Sequence, residues 1–193
     1  MLNIALVGSH STGKTTLVSL LQQCFAAKFY CISEVARSII SQGFPLGQDA
    51  NVDSYINYVN EQLKAEKKSQ EVNYDVLISD RTILDTVAYA EANRTLPRPF
   101  IPIYLIEMLE NVWLLEKDFY DIYVYLPIEF EMELDGIRPA DKEYRHLVDR
   151  KILELLHKNN IDYITLSGSV DARMKAISSQ LFPHIPPINI GHL

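Results

Sequence analysis

Short apolar runs alternate with amphipathic stretches along most of this chain. Asn3–Val7 is apolar and ends at Gly8, the pattern of a strand buried on both faces. From Lys14 the period lengthens, and Leu17, Leu20, Leu21, Cys24 and Phe25 fall on one face of a helix. Phe29–Ser33 reads as a second strand. Val52, Tyr55, Ile56, Val59 and Leu63 mark another amphipathic helix, which runs into a charged end near Lys64–Lys68. Asp75–Ser79 predicts a third strand leading into Asp80-Arg81, followed by a helix through Leu84, Val87, Ala88 and Glu91. Asn93–Pro102 holds Pro97, Pro99 and Pro102 and predicts a loop. A helix over Ile103–Glu116 and strands at Asp121–Leu126 and Asp162–Leu166 follow. A helix carrying Val148, Ile152, Leu155 and Leu156 lies between those two strands, and a last helix spans Asp171–Leu181. Strands alternating with helices predict an α/β fold of three layers, a five-stranded parallel sheet with helices on both faces.

The 193 residues suit one domain, expected over residues 1–182, with a proline-containing tail at 183–193. Apolar residues make up 48% and charged residues 22%, the composition of a folded globular chain. With 18 Lys+Arg against 25 Asp+Glu the net charge is −7, which argues against a broad basic face for nucleic acid but leaves room for a local anion pocket. Cys24 and Cys31 lack metal-ligand spacing and read as buried thiols in a reducing compartment. Neither a signal peptide nor an apolar run of about 18–20 residues is present, so a cytoplasmic location without membrane contact is expected.

Gly8-Ser9-His10-Ser11-Thr12-Gly13-Lys14-Thr15 matches G-x-x-x-x-G-K-[ST] between a predicted strand and a predicted helix. The glycines let successive backbone N–H groups curl around a phosphate, and the helix N-terminus points its positive end at the same anion. Gly8, Ser11, Thr12, Gly13, Lys14, Thr15 and Thr16 are therefore expected to hold ATP, Lys14 reaching the β- and γ-phosphates and Thr15 ligating Mg²⁺. His10 is a variable loop position with no catalytic role expected.

Asp80 ends the third strand, where a carboxylate either helps hold Mg²⁺ or caps the helix that follows. Arg81 can clamp an anion, orient an acceptor or make a surface ion pair. Asp85, one turn on, can reach a substrate or pair with Arg81. Glu34 follows the second strand, facing the crevice where open parallel sheets bind ligands. There it can serve as general base for in-line phosphoryl transfer, with Arg37 on the same helix face; the alternative is a surface Glu–Arg pair. Asp135-Gly136-Ile137-Arg138 and Arg145 lie in a charged segment, about 129–146, that can close over ATP; Arg138 and Arg145 are then two turns apart, or simply part of a solvated charge run.

With these residues assembled, the chain resembles the P-loop nucleoside and nucleotide kinases. More narrowly, it is similar to the small AAA-domain group that includes the nicotinamide-riboside kinase domain of NadR regulators. The likeness is carried by GSHSTGKTTL, SEVAR, LPIEFEMELDGIRPADKEYR and, more faintly, DARMKAI. SDRTILDTVAYAE instead looks like thymidylate kinases, which have an Asp-Arg pair at this strand end. The resemblance implies a P-loop NTPase fold, ATP phosphates on Gly8–Thr16, Mg²⁺ near Thr15 and Asp80, and lid contacts from Arg138 and Arg145. It also implies an acceptor facing Glu34, Arg37 and Arg81. The riboside-kinase pattern has a Trp four residues before the Gly of D-G-x-R; Met132 stands there instead. The chain begins at the first strand, so a separate adenylyltransferase domain is not expected.

These features together predict a phosphotransferase. Lys14, Glu34, Asp80 and Arg138 would carry transfer of the γ-phosphoryl group to a nucleoside-like hydroxyl. The acceptor pocket would lie between the ends of strands two and three and the helices near 52–68 and 82–93. A nucleoside monophosphate is the alternative acceptor, its phosphate bound by Arg37 and Arg81. A nucleotide-binding switch is a third reading, although the guanine-specifying N-K-x-D segment is absent. The expected partners are the nucleotide and a small-molecule acceptor, and a homodimer is compatible with them.

Overall fold

A computed structural model describes residues 1–97, 99–130 and 142–182. The described strands are β1 (Leu2–Val7), β2 (Phe29–Ile32), β3 (Val76–Asp80), β4 (Ile122–Tyr125) and β5 (Tyr163–Thr165). The helices are α1 (Lys14–Cys24), α2 (Val35–Ser41), α3 (Val52–Ser69), α4 (Ile83–Arg94), α5 (Ile103–Glu116), α6 (Lys142–Lys158) and α7 (Val170–Gln180). All strand pairings are parallel, in the order β2-β3-β1-β4-β5. Arg138, Asp135, Gly136, Met132 and the tail lie outside the described residues.

The period of two along β1 decides the layering. Ala5 and Val7 face a core built with Val59, Leu84, Leu105, Trp113 and Ile152. Ile4 and Leu6 face the opposite core, with Leu17, Val18 and Leu21 of α1 and Ile177 of α7. The sheet is thus covered on one side by α3 to α6 and on the other by α1 and α7. This buries β1 on both faces, as its unbroken apolar run requires.

The register brings the functional ends to one edge. Leu6 pairs with Asp80, and Ile32 pairs with Ser79, so β1, β3 and β2 finish side by side. The loops after these strands therefore share one end of the sheet, where open α/β sheets bind ligands. Observed element ends differ from the expected ones by one residue at several places, as with Val76–Asp80 against Asp75–Ser79. Cys24 and Cys31 are free but half-buried rather than fully buried: Cys24 is the last residue of α1, and Cys31 lies on β2, an edge strand. Burial still pushes the Cys31 thiol up to about 11, so it is a poor nucleophile. No described helix is long and apolar enough to cross a membrane.

Candidate active site

The phosphate loop joins β1 to α1, and its backbone shows why the glycines are there. Gly8 has φ +149°, and a Cβ on it would meet the Leu126 carbonyl oxygen at 2.6 Å. Gly13 caps α1 in the left-handed region at φ +87°, and Ser11 also has positive φ. Such alternation curls consecutive peptide groups into an anion-binding concavity. Lys14 is buried, and its Nζ donates to the carbonyls of Gly8 at 2.7 Å and Ser9 at 2.6 Å and to Thr12 Oγ1 at 3.1 Å. Its ammonium therefore lies inside the turn, while Thr15 and Thr16 are exposed on the first turn of α1.

Thr15 Oγ1 donates to Asp80 Oδ2 at 2.5 Å, joining the loop to the end of β3. Capping of the following helix falls to Thr82, which accepts from the Leu84 N–H, so Asp80 is not the cap. A hydroxyl and a carboxylate side by side at a phosphate loop are hard oxygen donors that suit Mg²⁺. No group of three or more His, Cys, Asp or Glu able to hold a metal occurs among the described residues.

Asp85 is buried and fully engaged. Its Oδ2 accepts from the Thr82 N–H at 2.9 Å, and its Oδ1 accepts from the Gly8 N–H at 3.3 Å. One carboxylate thus closes the capping box of α4 and ties that helix to the first residue of the phosphate loop. Burial raises its pKa, against the opposing pull of Arg81, Lys14 and its backbone donors.

Arg81 takes a left-handed backbone at φ +84°, fixed by its N–H to the Leu6 carbonyl and by Ser79 Oγ donating to its carbonyl at 2.6 Å. Ser79 Oγ in turn accepts from Gln62 Nε2, which also bonds the buried Glu66 and Tyr120. The Arg81 guanidinium lies 5.2 Å from the Tyr89 ring centroid and makes no hydrogen bond or ion pair with the described residues. Burial works against its charge, but Tyr89, Tyr58, Asp85 and Asp80 outweigh that and raise its pKa. A cation held in this way has hydrogen-bonding capacity left for a ligand.

Glu34 and Arg37 lie just past β2 as an ion pair of 3.0 Å, with side chains 67% and 76% exposed. Glu34 is within two residues of the end of β2, at the same end of the sheet as Asp80. Arg145 is not on an open segment. It is buried in α6, donating from Nε to the His10 carbonyl, from Nη2 to the Ser11 carbonyl and from Nη1 to the Phe130 carbonyl.

The family model described as an AAA domain matches residues 3–173, from β1 through the start of α7, which takes in the loop. The chain belongs to the AAA-domain family. Among solved structures, this AAA-domain chain is similar to a NadR protein in complex with NR, at 21% identity and a TM-score of 0.76. That match covers 99% of this chain and 54% of the NadR chain, so the protein spans about half the length of that relative. It is similar to a deoxyadenosine kinase from M. mycoides with bound dATP, at 16% identity and a TM-score of 0.63, covering 94% and 99% of the two chains. A thymidylate kinase from Ehrlichia chaffeensis gives 16% identity and a TM-score of 0.58, covering 92% and 97%. No curated protein matches the sequence significantly. The fold is thus the five-stranded P-loop kinase fold of NadR type that the sequence predicts.

Two residues of this AAA-domain site escaped the sequence reading. His10 is buried in the loop, and its Nδ1 shares a 3.1 Å hydrogen bond with the Tyr89 hydroxyl, beside Arg81. Arg173 of α7 is 2% exposed and donates from Nη1 to the Thr12 carbonyl at 2.6 Å. The faint DARMKAI likeness contains Arg173, but no spacing rule marks it. The Asp85 brace did have a signal, since Thr82-x-x-Asp85 before an apolar run is a capping-box pattern.

Proposed function

We propose that this protein is an ATP-dependent kinase that transfers the γ-phosphoryl group to the hydroxyl of a nucleoside-like small molecule. The observation that carries this reading is the Gly8–Thr15 loop with Lys14 inside it and Thr15 bonded to Asp80 at the adjacent strand end. Backbone N–H groups of the loop and the N-terminus of α1 bind the phosphates, and Lys14 neutralises charge on the β- and γ-phosphates. Thr15 and Asp80 would hold Mg²⁺, which when bound would neutralise charge on the phosphates. Glu34, at the neighbouring strand end, takes the proton from the attacking hydroxyl, with Arg37 orienting its carboxylate. Arg81 faces the acceptor. Arg138, in the charged segment after β4, adds positive charge to the transferring group. Transfer then depends mainly on positioning and electrostatics.

Arg81 supports a second reading. A guanidinium stacked on Tyr89 but without a hydrogen-bond or ion-pair partner among the described residues suits an acceptor that already carries a phosphate, and a nucleoside monophosphate needs no base. One assay separates the two: a panel of nucleosides and nucleoside monophosphates offered with ATP and Mg²⁺, read by ADP release and product mass. The first reading expects nucleosides gaining a phosphoryl group. Phosphorylation of monophosphates alone would replace it with the second. ATP binding with no transfer to any member would sink both and favour a nucleotide-binding switch.

A further inference from the structure

Three consecutive carbonyls of the phosphate loop are held from behind by two buried arginines. Arg145 Nε donates to the His10 carbonyl at 3.0 Å, and its Nη2 donates to the Ser11 carbonyl at 2.9 Å. Arg173 Nη1 donates to the next carbonyl, that of Thr12, at 2.6 Å. A trans peptide is planar, with its C=O and the following N–H pointing in opposite directions. Fixing the carbonyls of residues 10, 11 and 12 therefore fixes the directions of the N–H groups of Ser11, Thr12 and Gly13. Those three donors belong to the concavity in which a phosphate would lie.

Arg173 is itself held tightly. Its Nη2 donates to Glu129 Oε2 at 2.8 Å, and the same oxygen accepts from the Gly168 N–H at 2.7 Å. The Phe130 ring centroid lies 4.9 Å from the guanidinium carbon, and a Cβ on Gly13 would lie 3.5 Å from Nη1. This geometry carries a cost, because Arg173 Nε is buried with no hydrogen-bond partner among the described residues. A position needed only to fill the core would be met better by an apolar side chain.

We propose that Arg173 is a positioning residue for the phosphate loop. With Arg145 it turns the loop carbonyls outward, so that the N–H groups face the nucleotide phosphates, and it adds a fixed positive charge behind them. The proposal rests on the reading of this loop as an ATP site. Arg173 touches no substrate; it acts through the Thr12 peptide.

The test is calorimetric binding of ATP with Mg²⁺ to the full chain, alongside KM for ATP and for the acceptor, in wild type, R173Q and R173K. R173Q is expected to weaken ATP binding by about tenfold to hundredfold, the range for losing a charged hydrogen bond. R173K, which keeps the charge on a single donor nitrogen, is expected to recover part of that loss. The acceptor KM should stay near wild type in both. A folded R173Q with wild-type ATP affinity would overturn the proposal, as would equal rises in both KM values. Failure of both variants to fold would overturn it too, by assigning Arg173 to the core. If wild type itself bound no ATP, the ATP-site reading would fall first and this proposal with it.

Discussion

At the scale of single residues, the proposed function divides the site into groups that would touch ligand and groups that hold those groups still. The proposal puts Asp80 in the first set through its hydrogen bond with Thr15, so Asp80→Asn should raise the Mg²⁺ concentration needed for half-maximal activity by about tenfold or more. A titration of activity against Mg²⁺ checks this, and an unchanged requirement would remove Asp80 from the metal site. Glu34→Gln should lower turnover by about 10²–10⁴-fold with ATP affinity unchanged, if Glu34 is the base. Wild-type turnover would leave Glu34 as a surface partner of Arg37. The loop itself was legible in the sequence because its spacing is set by the backbone, which must turn tightly without side chains in the way. Arg173 was not legible, because its partner Thr12 lies 161 residues away and only packing brings them together.

At the scale of elements, the chain Gln62–Ser79–Arg81 links α3 to the turn after β3. Ser79 Oγ donates to the carbonyl of a residue in a left-handed conformation that L side chains rarely adopt. Ser79→Ala removes that restraint, so Arg81 should lose its fixed position. KM for the acceptor should rise about threefold to tenfold, the scale of one hydrogen bond, while KM for ATP is unchanged. Equal changes in both constants, or none, would mean that the link does not position Arg81. The existence and order of β1, α1, β3 and α4 followed from their apolar periods. Some ends, such as Val7 of β1 and Lys14 of α1, followed too, while others moved by one residue, because caps such as Thr82 with Asp85 help decide where a helix starts. The short helix α2, Val35–Ser41, had little periodic signal, since only Val35 and Ile39 are buried in it.

At the scale of the whole molecule, the charge of −7 is a surface sum, while Lys14, Arg81, Arg145 and Arg173 gather at one end of the sheet. The interior contributes its own pH dependence through Glu66 of α3. Burial raises its pKa, against lowering by Tyr120 and Gln62, and nearby Glu116 adds to the rise. The folded chain therefore keeps a proton that the unfolded chain releases in the ordinary carboxylate range. Stability falls as pH rises from that range through the raised value of Glu66. Glu66→Gln should flatten this fall and raise the melting temperature at neutral pH relative to wild type. Melting curves across pH check it, and parallel slopes for the two proteins would contradict it.

The central claim is that the loop delivers a phosphoryl group from ATP to a small-molecule hydroxyl. Single-turnover reaction of γ-labelled ATP with a nucleoside, in wild type and in Lys14→Ala, tests it most directly. Label is expected on the nucleoside with wild-type protein, and none with Lys14→Ala. Label appearing only as inorganic phosphate, or equal transfer by both proteins, would contradict it.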